Sequence, residues 1–506
     1  MPPTFKSVAT LLTILLGLLA IVPAHGQSRP DAILFLTPDA NNAGHDIHII
    51  TVPDGVVTTI GHLNGFGSDA AWSPDGRFVH IISFDEDERR TLELVDPDEG
   101  TRQRLSNQLP DERCSWPVHW SRDSRWMSFA TQDEDMLVLN ALNTVDGRVI
   151  TLSTPIEPYG YGSYWSPDGR YLIHDIVHER GSDNAVIWDL HENRIVKTLS
   201  LNFDQLPPWS PNGPQVAYFS DERVITILDL ANGTSREYAG NWIGGWSPDG
   251  RYLLTAQRDV AGLWDLYVVD VSQATETRVM TAYPSNEIQA LWSPQGRYLV
   301  IQTSDPLDVN QRTLHLIDTL DNHIRPLIRL RGSVWNMLWS PDGQRLAFLY
   351  RPPYEPGLGY LSSQAALRPA SSNNPTSSVY VIDIAGAKMK FPLDVADLFY
   401  DRPLRWAWDG RYLLAWNGQS MSLYMPATGD VRPVTSDLEH MLSPRLSPDG
   451  RYVSFYSYVT RNADIYLLDT VDLQVRNFTD TSRQSEIFIG WRGTGENISQ
   501  IYCGEG

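Results

Sequence analysis

Lysine is almost absent from this 506-residue chain. Lys6, Lys197, Lys388 and Lys390 are the only four among 40 basic residues, so the positive charge is nearly all arginine. Basic charge as a whole is also scarce. Against 61 acidic residues it leaves a formal net charge of −21 and a pI near 4.9. Nucleic acid and anionic membrane surfaces need a basic footprint, so neither is an expected partner. Cysteine occurs only twice, at Cys114 and Cys503. The chain also lacks a convincing amphipathic helix of useful length and any phosphate-binding glycine loop, and no cofactor is expected. What it has in quantity is apolar residues, 42% of the total, enough for a large core and too many for global disorder.

One long apolar run is present. Val8 to Val22 follows the single charge of Lys6, and Pro23, Ala24, His25 and Gly26 precede Gln27. This reads as a secretory signal peptide over residues 1–26, too short for a full membrane span. The expectation is a secreted or periplasmic protein with no membrane insertion after cleavage. In an oxidising compartment Cys114 and Cys503 suggest one disulfide. Two isolated buried thiols are the alternative.

From residue 27 onward the chain repeats. Aligned on one aromatic position, the units fall at Trp72, Trp120, Trp165, Trp209, Trp246, Trp292, Trp339, Trp406, Leu446 and Trp491, mostly 37 to 48 residues apart with one gap of 67. The strings after it are SPDG, SRDS, SPDG, SPNG, SPDG, SPQG, SPDG, AWDG, SPDG and RGTG. Proline pre-sets φ, aspartate bonds nearby backbone, and glycine takes the positive φ that closes the turn. The residues Trp72, Asp75, Gly76, Trp165, Asp168, Gly169, Trp246, Asp249, Gly250, Trp339, Asp342 and Gly343 are therefore expected to be structural. A second strand follows, then a third ending in aspartate (LELVD at Asp96, LYVVD at Asp270, IYLLD at Asp469), then a polar turn and a fourth strand. Four short strands per unit predict an all-β fold, a β-propeller of four-stranded antiparallel blades.

This WSPDGR grammar resembles the propeller repeats of the TolB family. It is also similar to the propeller domains of prolyl oligopeptidases and dipeptidyl peptidases. The resemblance covers roughly Ala32 to Cys503 and implies fold far more than function. The chain lacks the α/β-hydrolase domain of the peptidases and the small N-terminal domain of a full TolB. It resembles a stand-alone propeller. Residues 33–60 supply strands without a leading tryptophan strand, and the C-terminus supplies that missing strand. The preferred reading is one ring of about ten units closed by the two ends. Two smaller rings, or a ring of roughly seven or eight blades with extra units, fit the same spacing. In a single ring Cys114 and Cys503 would both lie near the seam.

No catalytic constellation stands out. The turn aspartate recurs too often to be a catalytic acid, and no nucleophile elbow is present. His45 and His48, His174 and His178, and His119 are scattered rather than clustered, so no metal site is expected. The positions just before each blade tryptophan include two polar neighbour pairs, His119 with Tyr164 and Arg405 with Arg445. A propeller enzyme, a polysaccharide lyase or glycoside hydrolase with a channel site, would have to use these.

The blade face opposite the SPDG turns holds more chemistry. It gathers the acidic hairpins with Asp85, Glu86, Asp87, Asp133 and Asp135. It also gathers the connector aromatics Tyr159, Tyr161 and Trp335, and the insertion 351–378 with Tyr354. Aromatic rings among carboxylates suit a protein or carbohydrate partner. The expected function is an exported, non-enzymatic binding scaffold.

Overall fold

The computed structural model describes residues 29, 31–39, 44–64, 68–87, 89–106, 118–133, 136–152, 163–176, 184–200, 209–221, 224–260, 262–283, 289–305, 308, 310–353, 377–385, 388–392, 404–417, 420–434, 438, 441–457, 463–479 and 485–494. Among these every regular element is a β-strand. The strands form ten antiparallel sheets, one per repeat. Nine have four strands. The fourth blade has three, Gln215–Asp221, Val224–Asp229 and Thr234–Ala239, and its inner position is held by the single bridge Trp209–Val216.

Nine blades are built from consecutive strands; blade 1, for example, runs Asp69–Trp72, Val79–Phe84, Arg90–Asp96, Thr101–Ser106 from inside to outside. The tenth is mixed. Its innermost strand is the C-terminal Ile487–Trp491, which pairs antiparallel with Ala32–Pro38. Gly44–Thr51 and Val57–Asn64 complete it. The seam expected at the termini is therefore where the ring closes, the C-terminal strand completing the N-terminal sheet.

The core explains why there is one ring. Ten hydrophobic clusters each join two neighbouring blades. They run without a break from blade 1 through blade 9 to the mixed blade and back. Strand periodicity makes this possible, because alternate residues face opposite sides of a sheet. In Ala32–Pro38, Ala32, Leu34 and Leu36 pack toward blade 1, whereas Ile33 and Phe35 pack toward blade 9. Such a strand is buried on both faces and reads as a continuous apolar run. Outer strands carry the polar residues instead, as in Thr101–Ser106.

Two faces result. The SPDG turns and the turns after the third strands lie on one, here the turn face. The links between second and third strands, and the connectors from blade to blade, leave from the other, the connector face.

Candidate functional site

The turn face is nearly all accounted for by internal bonding, and blade 3 shows how. Ser166 donates its hydroxyl to Asp168 Oδ1 at 2.5 Å, and the Arg170 amide donates to the same oxygen at 3.1 Å. Gly169 has φ +67°, and a Cβ there would come within 2.9 Å of the Asp123 carboxylate in the preceding blade's turn. The glycine therefore serves both the local turn and the fit between turns. The Arg170 guanidinium then forks onto Asp189 at the end of the third strand, with Nε–Oδ1 at 3.2 Å and Nη2–Oδ2 at 2.6 Å. Burial pushes the Asp189 carboxyl up, but hydrogen bonds from Arg170 and nearby backbone amides outweigh it and hold the group below its usual range.

The same arginine lies 5.1 Å over the Tyr171 ring, and Tyr171 stacks on Trp209 of the next blade at 6.4 Å. Trp209 Nε1 donates to the Tyr164 carbonyl at 3.1 Å. The order aspartate, arginine, tyrosine, tryptophan thus links one blade to the next. Arginine–aspartate pairs recur at Arg77–Asp96, Arg251–Asp270, Arg297–Asp318 and Arg451–Asp469. The indole–carbonyl clasp recurs at Trp165 to His119, Trp339 to Leu291 and Trp491 to Arg445. Its acceptor always belongs to the residue just before the aligned Trp or Leu of the preceding blade. Outer-strand arginines add further staples, from Arg236 to the Val271 carbonyl at 3.0 Å and from Arg476 to the Pro53 carbonyl at 3.2 Å. Only a planar, multidentate cation can fork, stack and staple at once, which explains why arginine displaces lysine here.

The connector face is where the expected binding residues fall. Asp85 is half-buried and ties its own hairpin, accepting the Asp87 and Arg89 amides at 3.1 and 3.0 Å. Glu86 and Asp87 are exposed, and Asp87 pairs with Arg89 at 3.2 Å. Trp335 is half-buried between blades 7 and 8, and Arg351 lies 5.6 Å over its ring. It is packed rather than displayed. Asp133 ends a strand, though its side chain is outside the described residues; so are Asp135, Tyr159, Tyr161, Tyr354, Cys114, Cys503 and His178. Of the insertion, Arg351 and Ser378 prove to be strand residues, and only 354–376 lie outside the described segments.

Between blades 1 and 2, the inner strands hold a buried polar group that the sequence did not single out. His80 is 1% exposed, and its Nδ1 accepts the Trp120 indole N–H at 3.2 Å. With Nδ1 accepting that bond, Nε2 is the ring nitrogen that bears hydrogen, and it lies 3.8 Å from Asp69 Oδ2. His119 is held down to about 4 by burial and by the neighbouring His80. A metal does not fit His80 Nε2 while Nδ1 accepts that bond, because the ring would have to give up both protons. His48 is similarly engaged, with Thr37 at 2.8 Å and Thr59 at 2.9 Å on its two nitrogens. Among the described residues no group of three or more His, Cys, Asp or Glu is placed to hold a metal.

No family model matches the chain. Among solved structures it is similar to a eukaryotic initiation factor at 10% identity and a TM-score of 0.52, over 91% of this chain and 98% of that one. Dipeptidyl peptidase 4 of Porphyromonas gingivalis matches at 10% identity and a TM-score of 0.45, over 72% of this chain and 59% of that one. TolB of Acinetobacter baumannii matches at 15% identity and 0.25, over 58% and 62%. The first likeness shows the fold, a β-propeller, and at such identities it shows the fold alone.

Proposed function

We propose that the protein is an exported, non-enzymatic β-propeller that binds a protein or carbohydrate partner through its connector face. The observation that carries this reading is the division of labour between faces. Serine, aspartate, arginine and tyrosine of the turn face bond to one another and to neighbouring blades, so the repeated chemistry builds the ring. Exposed acidic residues, Glu86 and Asp87 among them, stand at the connector face, where Arg351 and Ser378, the strand ends that bracket 354–376, also lie. The apolar run Val8 to Val22 supports export.

Removal of 354–376, leaving Arg351–Pro353 and Ser377–Ser378 to close the hairpin, tests the reading. Cross-linking mass spectrometry in an envelope fraction, with affinity electrophoresis in soluble polysaccharides, reads the binding. The deletion should abolish it, and unchanged binding would sink the proposal.

A channel enzyme has one observation in its favour, the half-buried Asp69 carboxylate 3.8 Å from buried His80, beside His119. The binding reading predicts no polysaccharide cleavage by purified protein, with or without divalent cations. Cleavage that disappears in Asp69→Asn would favour the enzyme.

A further inference from the structure

Blade 8 departs from the repeat at three linked positions. Ala407 replaces the turn serine, so no hydroxyl closes on Asp409. Met425 ends the third strand Met421–Met425, where seven other third strands end in aspartate. Trp408 stands where seven turns carry proline: Pro74, Pro167, Pro211, Pro248, Pro294, Pro341 and Pro448.

The turn is nonetheless held firmly. Lacking a strand carboxylate, Arg411 reaches to the next blade and donates to the Asp449 carbonyl at 2.7 Å, with Asp409 at 2.9 Å. Tyr412 is 1% exposed and donates its hydroxyl to the Gly450 carbonyl at 2.7 Å. The Gly410 amide closes on the Ala407 carbonyl at 2.8 Å. A fixed backbone thus displays an indole that is 41% exposed. The other large apolar residues that exposed, among those described, are all aliphatic. The indole belongs to none of the hydrophobic clusters that join the blades, and proline would pre-set the turn backbone better.

Three turn carboxylates stand near it, two of them already paired: Asp409 with Arg411 at 2.9 Å and Asp342 with Arg345 at 3.4 Å. Asp409 follows it. Asp449 lies in the adjoining turn, where a Cβ on Gly450 would meet Ala407 and the Trp408 backbone, and Asp342 lies on the other side, next to the Pro341 that a Cβ on Gly410 would meet. Asp449 is the third; its Oδ1 accepts the Ser447 hydroxyl at 2.6 Å and the Arg451 amide at 2.8 Å, but the carboxylate has no ion pair among the described residues, and the chain carries a net charge of −21. We propose that Trp408 anchors a second docking site, on the turn face, for a cationic segment of a partner protein. An arginine or lysine of that segment stacks on the indole and meets the Asp449 carboxylate.

The test uses fluorescein-labelled hexa-arginine at low salt, read by anisotropy, with hexaglutamate and cellohexaose as controls. Trp408→Pro restores the residue of the other turns and keeps every carboxylate, so it separates the indole from simple charge attraction. Hexa-arginine should bind the full chain and weaken about tenfold in Trp408→Pro, with the melt unchanged. It should still bind the protein lacking 354–376, which keeps this site separate from the connector-face proposal. Equal binding to the full chain and Trp408→Pro overturns the inference. So does no binding to the full chain, or a preference for cellohexaose.

Discussion

The two faces of the ring use similar amino acids to different ends. On the turn face, Asp168 ties its own turn and Asp189 pairs with Arg170, and that arginine stacks on a ring reaching the next blade. On the connector face, Glu86 and Asp87 are exposed at a hairpin tip, where Asp87 pairs only with Arg89 of its own hairpin among the described residues. Repetition marks the residues that make the ring, because each interface needs the same bonds. The candidates for binding are the residues that break the repetition. Trp408 shows that the division is not absolute, since the turn face carries one such break of its own.

The comparison is easiest to break at its strongest contact. Trp491 is fully buried at the seam, and its indole donates to Ser454 at 2.9 Å and to the Arg445 carbonyl. Trp491→Ala should cost about 3–5 kcal/mol in chemical denaturation. A cost under about 1 kcal/mol, the range of an ordinary surface change, would deny the seam its role.

Two titrating groups sharpen the comparison by acting in opposite directions. His119 has a folded value near 4 against an ordinary 6.5, so the unfolded chain binds the extra proton between those limits. Stability should rise as pH climbs from about 4 to 6.5, and His119→Gln should flatten that rise, of the order of 1–3 kcal/mol. Asp31, at the seam, is pushed up to about 6 by burial and by Asp449, with Arg492 partly offsetting them. Here the folded state holds the proton, and stability falls as pH climbs from 3.8 to about 6. Asp31→Asn should remove that fall. Melts recorded from pH 3.5 to 7 would show both slopes, and a slope of the wrong sign in either variant refutes its assignment. The smallest effect belongs to the connector face. Removal of 354–376 should move the melting temperature by no more than about 2 °C, since the clusters that join blade 7 to its neighbours are formed without it. A large loss would make the segment part of the ring.

Much of the fold was legible because periodicity and turn chemistry are local. The phase of the tryptophans gave ten units, and a first unit without its tryptophan strand matched a last unit that supplied one. The links between blades were not legible. Nothing in one repeat says that Arg170 will meet Asp189, 19 residues on, while also stacking on the ring that touches Trp209. Nor did the sequence separate Trp335, which packs between blades, from Trp408, which is exposed and outside the clusters. A signal for Trp408 was present, in the AWDG string and in Met425 where aspartate was due. It could be weighed only once the bonds of the normal turn were known. His80 gave no signal at all, because only the fold brings Trp120 to its Nδ1.

The most direct test of the claim that the repeated polar residues build the ring is a double-mutant cycle over Arg170 and Asp189. Arg170→Lys, Asp189→Asn and the double variant would be compared by denaturation midpoint and by partner binding. The pair should show a coupling of about 1–2 kcal/mol, allowing for the exposed guanidinium, with binding unaltered in all three. A coupling near zero, or binding lost while stability is kept, would contradict it and would move the function of the protein onto the repeat itself.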